Sequence, residues 1–337
     1  MKTLLITDLH FNDKPVGLLA AQKECILSIL RIEEYDDTII MGDLMMHRKP
    51  SPKVLLALKE VIDYASSNGN VTIIRGNHDS ENKSDDGVTA LSLFDKPSTQ
   101  DSLPDPRNRG HRVRTVTQTW YDHRTQRAFI PHYENEERIK MDLSAIPKGY
   151  TLFGHFGYHG ALNSAGDADF DLRLSDFRNT SFLGHVHGFV QKKNVTVLGT
   201  PYTTNFGEVN KQSYYAILEG TRVTFRPPTS GPRHLIFSAK DLEANLEFIN
   251  DPNWYTMLRV LVDTNHHPIP YDKLQVPHLD VKYNPVFNEE DLSTYTPERS
   301  LFSINEGIIE EYVEGANSTI SKEILMQGYR LLKDEDQ

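Results

Sequence analysis

The sequence predicts an α/β fold in which two sheets pack between layers of helices, followed by a smaller α/β domain and C-terminal helices. Three observations lead to this prediction. In the first third of the chain, apolar segments of strand length alternate with helical patterns. Further strand-like segments return after residue 110, and a proline-rich break at residues 227–232 precedes the final part. The first pattern is typical of buried parallel strands joined by helices, and the spacing of the later segments indicates a second sheet.

The predicted elements of the first part are short strands, two helices and one long loop rich in Pro, Asp, Ser and Asn at Asp95–Arg109. The two helices cover Val16–Ile32 and Pro52–Ser67. In chain order, the strands are Thr3–Thr7, Thr38–Met41, Val71–Arg75, Arg112–Thr117, Thr119–Tyr121, Ala128–Pro131, Thr151–Phe153, Ser181–Leu183, Thr196–Leu198, Tyr214–Leu218 and Val223–Phe225.

The proline-rich break divides the chain into a domain at residues 1–228, a small α/β domain at 233–298 and a helical segment at 299–337. The small domain is predicted to contain strands Leu235–Phe237, Tyr255–Val262 and Leu279–Val281 and a helix at Ala239–Ile249. The last segment, Leu301–Leu332, has the apolar spacing of two helices that are broken near Gly315.

Composition and charge limit the function classes. With 38% hydrophobic and 25% charged residues, the 337-residue chain is typical of a soluble globular protein. Its apolar stretches are shorter than the ~20 residues that span a bilayer, so no membrane association is expected. Its single cysteine, Cys25, excludes an internal disulfide and fits a reducing cytoplasm. A net charge of −11 argues against a broad nucleic-acid-binding surface, so any such contact must be local or come from a partner.

Five short motifs follow apolar strand segments. They are Asp8-Leu9-His10, Gly42-Asp43, Gly76-Asn77-His78-Asp79, Gly154-His155 and Gly184-His185-Val186-His187. Ligand sites in open α/β sheets lie at the carboxyl ends of the strands, so these side chains are expected to meet there. The alternate spacing of Asp8 and His10 predicts side chains that point the same way from an extended strand. Two carboxylates, one amide and four imidazoles form a mixed oxygen and nitrogen set that suits Mn²⁺, Fe or Zn²⁺.

These motifs resemble the signature of the calcineurin-like metallophosphoesterases, an α/β/β/α sandwich family. The resemblance implies one metal held by Asp8, His10, Asp43 and His187. Asp43 would bridge to a second metal, held also by Asn77, His155 and His185. His78 resembles the family's catalytic histidine, and Asp79 is placed to orient it. The implied cofactors are two divalent ions, Mn²⁺ in this prediction, which would serve phosphodiester hydrolysis.

Within the family, two segments resemble the SbcD-like DNA nuclease subunits, most closely those encoded by phages. They are GDLMMHRKPSP, from Gly42, and VLGTPYTTNFGEVNKQSYYAIL, from Val197. The resemblance implies a DNA exonuclease and endonuclease subunit that acts in recombination, repair or replication, in the cytoplasm or in the host cytoplasm if phage-encoded. It also implies a homodimer and an SMC-like coiled-coil ATPase partner, for which the Leu301–Leu332 helices are the predicted docking element; alternatively, they pack on their own chain.

Two further readings of the site stay open. The chain could hydrolyse nucleotides or other small phosphoesters with the same metals, or it could be a scaffold without catalysis. The complete set of ligand types together with His78 disfavours the scaffold. One position departs from the family pattern. Many relatives have His or Asp three residues after the bridging aspartate, where this chain has Met46 followed by His47. His47 either substitutes for that residue or lies on the surface.

Overall fold

In a computed structural model, the structure describes residues 1–96, 111–161, 170–262 and 269–283. The first sheet has six strands in the order β12-β11-β1-β2-β3-β4. Strands β1 to β4 are parallel, whereas β11 pairs antiparallel with both β1 and β12. The strands are β1 (Lys2–Ile6), β2 (Asp37–Ile40), β3 (Asn70–Ile74), β4 (Val113–Val116), β11 (Tyr215–Glu219) and β12 (Arg222–Arg226).

The second sheet also has six strands, in the order β5-β6-β7-β8-β10-β9. They are β5 (Trp120–Asp122), β6 (Arg127–Ile130), β7 (Thr151–His155), β8 (Ser181–Gly184), β9 (Val190–Lys192) and β10 (Val195–Val197). The sequence correctly indicated a second sheet, but assigning it all the strands after residue 110 was wrong. Strands β4, β11 and β12 join the first sheet, because β4 pairs with β3 and β11 pairs with the free edge of β1.

The two sheets pack face to face around an apolar layer, and helices cover their outer faces. Leu5, Ile39 and Phe153 lie in that central layer. Helices α1 (Leu18–Ile32) and α2 (Pro52–Asn68) bury apolar faces against the first sheet. Helix α3 (Glu136–Ala145) packs with the outer face of the second sheet. The predicted α/β/β/α sandwich is therefore confirmed.

Helix α3 was absent from the sequence-based prediction. Its sequence, EERIKMDLSA, buries only Ile139 and Leu143, so it lacks the apolar stripe by which helices are recognised. It begins at a local capping signal, because the side chain of Asn135 accepts a hydrogen bond from the backbone N–H of Arg138. The acidic residues Glu136 and Glu137 in its first turn also favour a helix start.

A third, all-parallel sheet follows the sandwich and has its own apolar cluster. It contains β13 (Gly231–Ser238), β14 (Trp254–Val262) and β15 (His278–Tyr283). The predicted helix at Ala239–Ile249 was wrong in extent. Ala239–Asp241 and Glu243–Asn245 form two 3-10 turns, and α4 spans only Leu246–Ile249. The three domain ranges given above stay a prediction.

Two predicted segments fall largely or wholly outside the described residues. They are the loop at Asp95–Arg109, of which Asp95 and Lys96 are described, and the helices at Leu301–Leu332. Among the helices that the structure describes, none combines the length and the apolar character needed to cross a membrane.

Candidate metal centre

The five motifs meet where the carboxyl ends of parallel strands from both sheets face each other. Asp8 and His10 follow β1, Asp43 follows β2, and Asn77, His78 and Asp79 follow β3. From the second sheet, His155 ends β7, and His185 and His187 follow β8. Three groups of these side chains place their ligand atoms within 4.8 Å of one another. The groups are Asp8 with His10 and His187, His10 with Asp43 and His78, and Asp43 with His155 and His185.

The backbone around these residues is unusual. Asp8, His10, Asp43 and His185 all have positive φ angles, of 53°, 44°, 50° and 83°. Residues other than glycine adopt this left-handed region at a cost of about 1–3 kcal/mol, and such residues concentrate at functional sites. The expectation that Asp8 and His10 share a direction through the alternation of an extended strand was therefore wrong. Strand β1 ends at Ile6, and a left-handed loop directs both side chains toward the other motifs.

The first cluster contains Asp8, His10 and His187. The Nε2 atoms of His10 and His187 lie 2.9 Å apart, and Asp8 Oδ1 lies 3.9 Å from His10 Nε2. Asp8 is also held from two sides, because it accepts hydrogen bonds from the Thr7 hydroxyl and from the His185 backbone N–H. Two imidazole nitrogens and a buried carboxylate thus converge on one region, as ligands of a cation do.

The second cluster contains Asn77, His155 and His185. Asn77 Oδ1 lies 3.3 Å from His155 Nε2 and 3.0 Å from His185 Nδ1. The other ring nitrogen of His155 lies 2.5 Å from the carbonyl oxygen of Met41. That contact assigns a proton to Nδ1 of His155 and makes Nε2 the ring nitrogen that faces the cluster.

Asp43 stands between the two clusters, with one carboxylate oxygen toward each. Its Oδ2 lies 3.7 Å from His10 Nε2, and its Oδ1 lies 3.4 Å from His155 Nε2. The side chain is buried, and Oδ1 also accepts a hydrogen bond from the His78 backbone N–H at 2.9 Å. A carboxylate in this position can bridge two ions.

Two glycines leave room for this packing. A Cβ atom on Gly42, where φ is 96°, would lie 2.2 Å from His155 Nδ1. A Cβ atom on Gly76 would lie 2.1 Å from Asp43 Oδ1. Both distances are far below contact, so the glycines that precede these motifs are required by the close approach of the ligands.

Electrostatics also fit a cation. Burial opposes charge on both His155 and Asp43, but their mutual attraction raises the pKa of His155 to about 9 and holds that of Asp43 well below its usual range. Burial lowers the pKa of His10 to about 4 despite the nearby carboxylates, so its ring is neutral at pH 7. His10 Nδ1 is buried with no hydrogen-bond partner among the described residues. A neutral imidazole beside carboxylates is the form that binds metals.

His78 lies beside the first cluster, with its ring edge-on to that of His10 at a centroid distance of 4.9 Å. Its Nδ1 lies 2.7 Å from the Met46 carbonyl oxygen, which leaves Nε2 free to contact a substrate. The expectation that Asp79 orients His78 was wrong. The carboxylate of Asp79 accepts hydrogen bonds from the backbone N–H groups of Leu44, Met45 and Gly76 instead. Asp79 thus ties the loop after β2 to the loop after β3, and Met46 orients His78.

The structure brings together all seven predicted ligands and His78, whose roles as ligands and catalyst stay predictions. His47 is exposed and takes part in none of the hydrogen bonds or ion pairs of the described chain. Sequence reasoning missed two buried residues at the site. His132, whose ring centroid lies 5.4 Å from that of His185, follows strand β6. The rule that polar residues after apolar strands mark the site could have found it. Glu208, which contacts His187, ends the phenylalanine-glycine-glutamate element of the segment from Val197 that resembles SbcD-like subunits, but no role was predicted for it.

Comparison with known proteins identifies the fold and the chemistry. A family model described as calcineurin-like phosphoesterase matches residues 1–198. The chain belongs to this family. The matched residues contain every predicted ligand and His78, and membership implies metal-dependent hydrolysis of phosphoesters. Calcineurin-like phosphoesterases typically bind two divalent ions, and the two clusters around Asp43 fit this number.

A solved structure with some similarity is the crystal structure of Pseudomonas putida nuclease MPE. Its sequence is 18% identical to this chain, and the TM-score between the two structures is 0.31. The similar region covers 66% of this chain and 87% of the Pseudomonas putida chain. A search of curated proteins finds no match.

Proposed function

We propose that this calcineurin-like phosphoesterase is a Mn²⁺-dependent DNA nuclease subunit that hydrolyses phosphodiesters by a two-metal mechanism. The observation that carries the proposal is the position of Asp43, with one oxygen toward His10 and the other toward His155. That geometry supports two ions that share a ligand, the arrangement used for in-line displacement at phosphorus.

The protein's own groups have distinct parts in this mechanism. Asp8, His10, Asp43 and His187 would hold one ion, and Asp43, Asn77, His155 and His185 the other. The ions would supply an activated water and neutralise charge on the phosphate oxygens. The Nε2 of His78, on the ring oriented by the Met46 carbonyl, would donate a proton to the leaving oxygen or stabilise charge that develops there.

Local charge makes a polyanionic substrate compatible with an acidic chain. Two divalent ions carry +4, and Asp8 and Asp43 return −2, so the ions and their two carboxylate ligands together keep about +2 whatever the net charge of −11. The DNA assignment itself is supported by the two segments that resemble SbcD-like subunits. In the first of them, Pro52 begins α2, and the Ser51 hydroxyl caps it by accepting the Val54 N–H. That segment also includes Met46, which holds His78.

The proposal is tested by incubating the purified protein with MnCl₂ and end-labelled single- and double-stranded DNA, beside a chromogenic phosphodiester. Cleavage of both DNA and the chromogenic ester is expected, and chelation with EDTA should abolish it. Hydrolysis of the small ester alone would overturn the nuclease assignment. It would favour the alternative, an enzyme for nucleotides or other small phosphoesters, with which the net charge of −11 is also compatible.

We further propose that the subunit forms a homodimer and acts with an SMC-like coiled-coil ATPase in DNA recombination, repair or replication. The acidic chain has little general electrostatic attraction for DNA, so a partner would supply most of the contacts that bind the duplex. Removing residues after 300 is expected to abolish co-purification with a co-expressed ATPase of this class, while Mn²⁺-dependent hydrolysis of the chromogenic ester continues. Unchanged association would refute docking through this segment.

A further inference from the structure

Glu208 is a buried carboxylate at the edge of the metal centre, in a 3-10 turn that spans Phe206–Glu208. Its Oε1 lies 2.5 Å from His187 Nδ1 and accepts a hydrogen bond from Asn205 Nδ2 at 2.8 Å. Its Oε2 accepts from the backbone N–H of Thr204 at 2.7 Å, and the Thr204 hydroxyl also donates to the carboxylate. Both carboxylate oxygens of Glu208 therefore accept hydrogen bonds from protein groups.

Burying an ionised carboxylate costs free energy of folding unless charged or polar groups compensate for its lost hydration. Within the described ranges, Glu208 forms no ion pair with a lysine or arginine, and the one titratable group in direct contact with its carboxylate is His187. The acid is therefore placed to act on that imidazole rather than to complete a salt bridge of the framework. The two uncharged neighbours, Thr204 and Asn205, hold the carboxylate at the required position.

The contact between Glu208 and His187 determines which ring nitrogen of His187 faces the first cluster. A carboxylate only accepts hydrogen bonds, so the Nδ1 of His187 carries a proton and its Nε2 is the nitrogen on the far side of the ring. That Nε2 is the atom 2.9 Å from His10 Nε2. In the second cluster, the backbone carbonyl of Met41 likewise accepts a hydrogen bond from Nδ1 of His155. Of these two Nδ1 contacts, only that of His187 is made to a negatively charged group.

The third sheet holds the segment that carries Glu208. The Thr203 hydroxyl accepts a hydrogen bond from the His234 backbone N–H on β13 at 2.8 Å. The ring of Phe206 packs between His234, at a centroid distance of 4.8 Å, and the guanidinium of Arg259, at 3.9 Å. Arg259 on β14 is fixed in turn by an ion pair of 2.6 Å with Asp280 on β15. Glu208 thus lies on a turn that is held in place by contacts with β13 and β14 of the third sheet.

We propose that Glu208 is a positioning residue for the metal of the first cluster. Glu208 holds His187 in the correct tautomer and orientation and strengthens that histidine as a ligand. The inference rests on the two-metal centre of the proposed function but not on DNA as the substrate. Carboxylates that orient metal-binding histidines in this way typically contribute 10- to 100-fold in metal affinity. The effect should be confined to one site, because His187 is the one ligand among the hydrogen-bond partners that the described structure gives for the Glu208 carboxylate.

The test compares Glu208→Ala and Glu208→Gln with the wild-type protein in calorimetric titrations of the metal-free full chain with MnCl₂. Glu208→Ala is expected to weaken one of two sites by about 10- to 100-fold and to change the other by less than about threefold. Glu208→Gln keeps an acceptor for His187 and should restore most of the lost affinity. Glu219→Ala, an exposed acid at the end of β11, serves as the control and should bind as the wild type does.

A spectroscopic measurement separates positioning from a general structural role. In ¹⁵N-labelled metal-free protein, the Nδ1–H signal of His187 should be present in the wild type and in Glu208→Gln, and lost in Glu208→Ala. Wild-type affinity at both sites in a folded Glu208→Ala variant would overturn the proposal. Equal weakening of both sites with an unchanged His187 signal would also overturn it. Because the readouts are metal binding and tautomer, a protein that cleaves no DNA would refute the nuclease assignment and leave this result intact.

Discussion

Replacing Asp43 by alanine is expected to reduce turnover of the chromogenic phosphodiester by at least about 10³-fold, equivalent to several kcal/mol of lost transition-state stabilisation. The reason is geometric. One carboxylate oxygen of Asp43 faces His10 and the other faces His155, so its removal takes a ligand from both sites at once. The protein should retain fewer than two Mn²⁺ ions after gel filtration, as measured by elemental analysis.

Two comparisons make this result specific. Asp43→Asn keeps the size of the side chain and an oxygen that can accept the His78 N–H, but it removes the charge, so it should lose metal nearly as fully as alanine. Asp241→Asn removes an exposed carboxylate beside the third sheet and should keep both ions and full turnover. Retention of two tightly bound ions by Asp43→Ala would contradict the bridging assignment.

Replacing His78 by alanine is expected to lower kcat by about 10²- to 10⁴-fold, the usual contribution of a positioned acid or base, while the protein still binds two Mn²⁺ ions. The ring of His78 is held by the Met46 carbonyl through Nδ1, which leaves Nε2 for a substrate oxygen. Its backbone N–H supports Asp43, and that bond does not depend on the side chain. The kinetic and metal-binding measurements are made on the same preparation.

A matched control for His78 is His123→Ala. His123 lies in the turn between β5 and β6, at the amino end of β6 and away from the carboxyl ends where the ligands gather. Its ring forms a hydrogen bond and an edge-on ring contact with Tyr150. That variant should keep wild-type turnover. Full activity of His78→Ala on DNA would refute the catalytic assignment. Loss of an ion together with turnover would make His78 a ligand, since its ring nitrogen belongs to one group with His10 and Asp43.

Much of the site followed from simple rules of sequence and topology. An apolar run that ends in a polar or glycine-led motif locates the carboxyl end of a buried strand, and parallel strands bring those ends to one edge. This reasoning placed Asp43, Asn77 and His155 together although 34 to 112 positions separate them along the chain. It failed for Asp8 and His10, because their directions come from left-handed backbone after β1 has ended.

Two other errors come from contacts between segments that are distant in sequence, and a third comes from a weak local pattern. The pattern of β11 and β12 indicates strands but carries no information on which edge accepts them, and the free edge of β1 does so. Asp79 stands next to His78 in sequence, yet its carboxylate turns to three backbone N–H groups on two loops. Helix α3 was missed because only two of its residues face the core.

The sequence by itself determined the α/β/β/α sandwich, the identity of the seven candidate ligands and the presence of His78, because strand periodicity and strand-end motifs are local signals. Only the tertiary structure decided that Asp43 faces both clusters and that Glu208 holds His187. It also decided that His132 lies beside His185 and that Met46 orients His78. These partners are chosen by hydrogen bonds between loops that are distant in sequence, and a buried carboxylate such as Glu208 is stable only where those loops supply its donors.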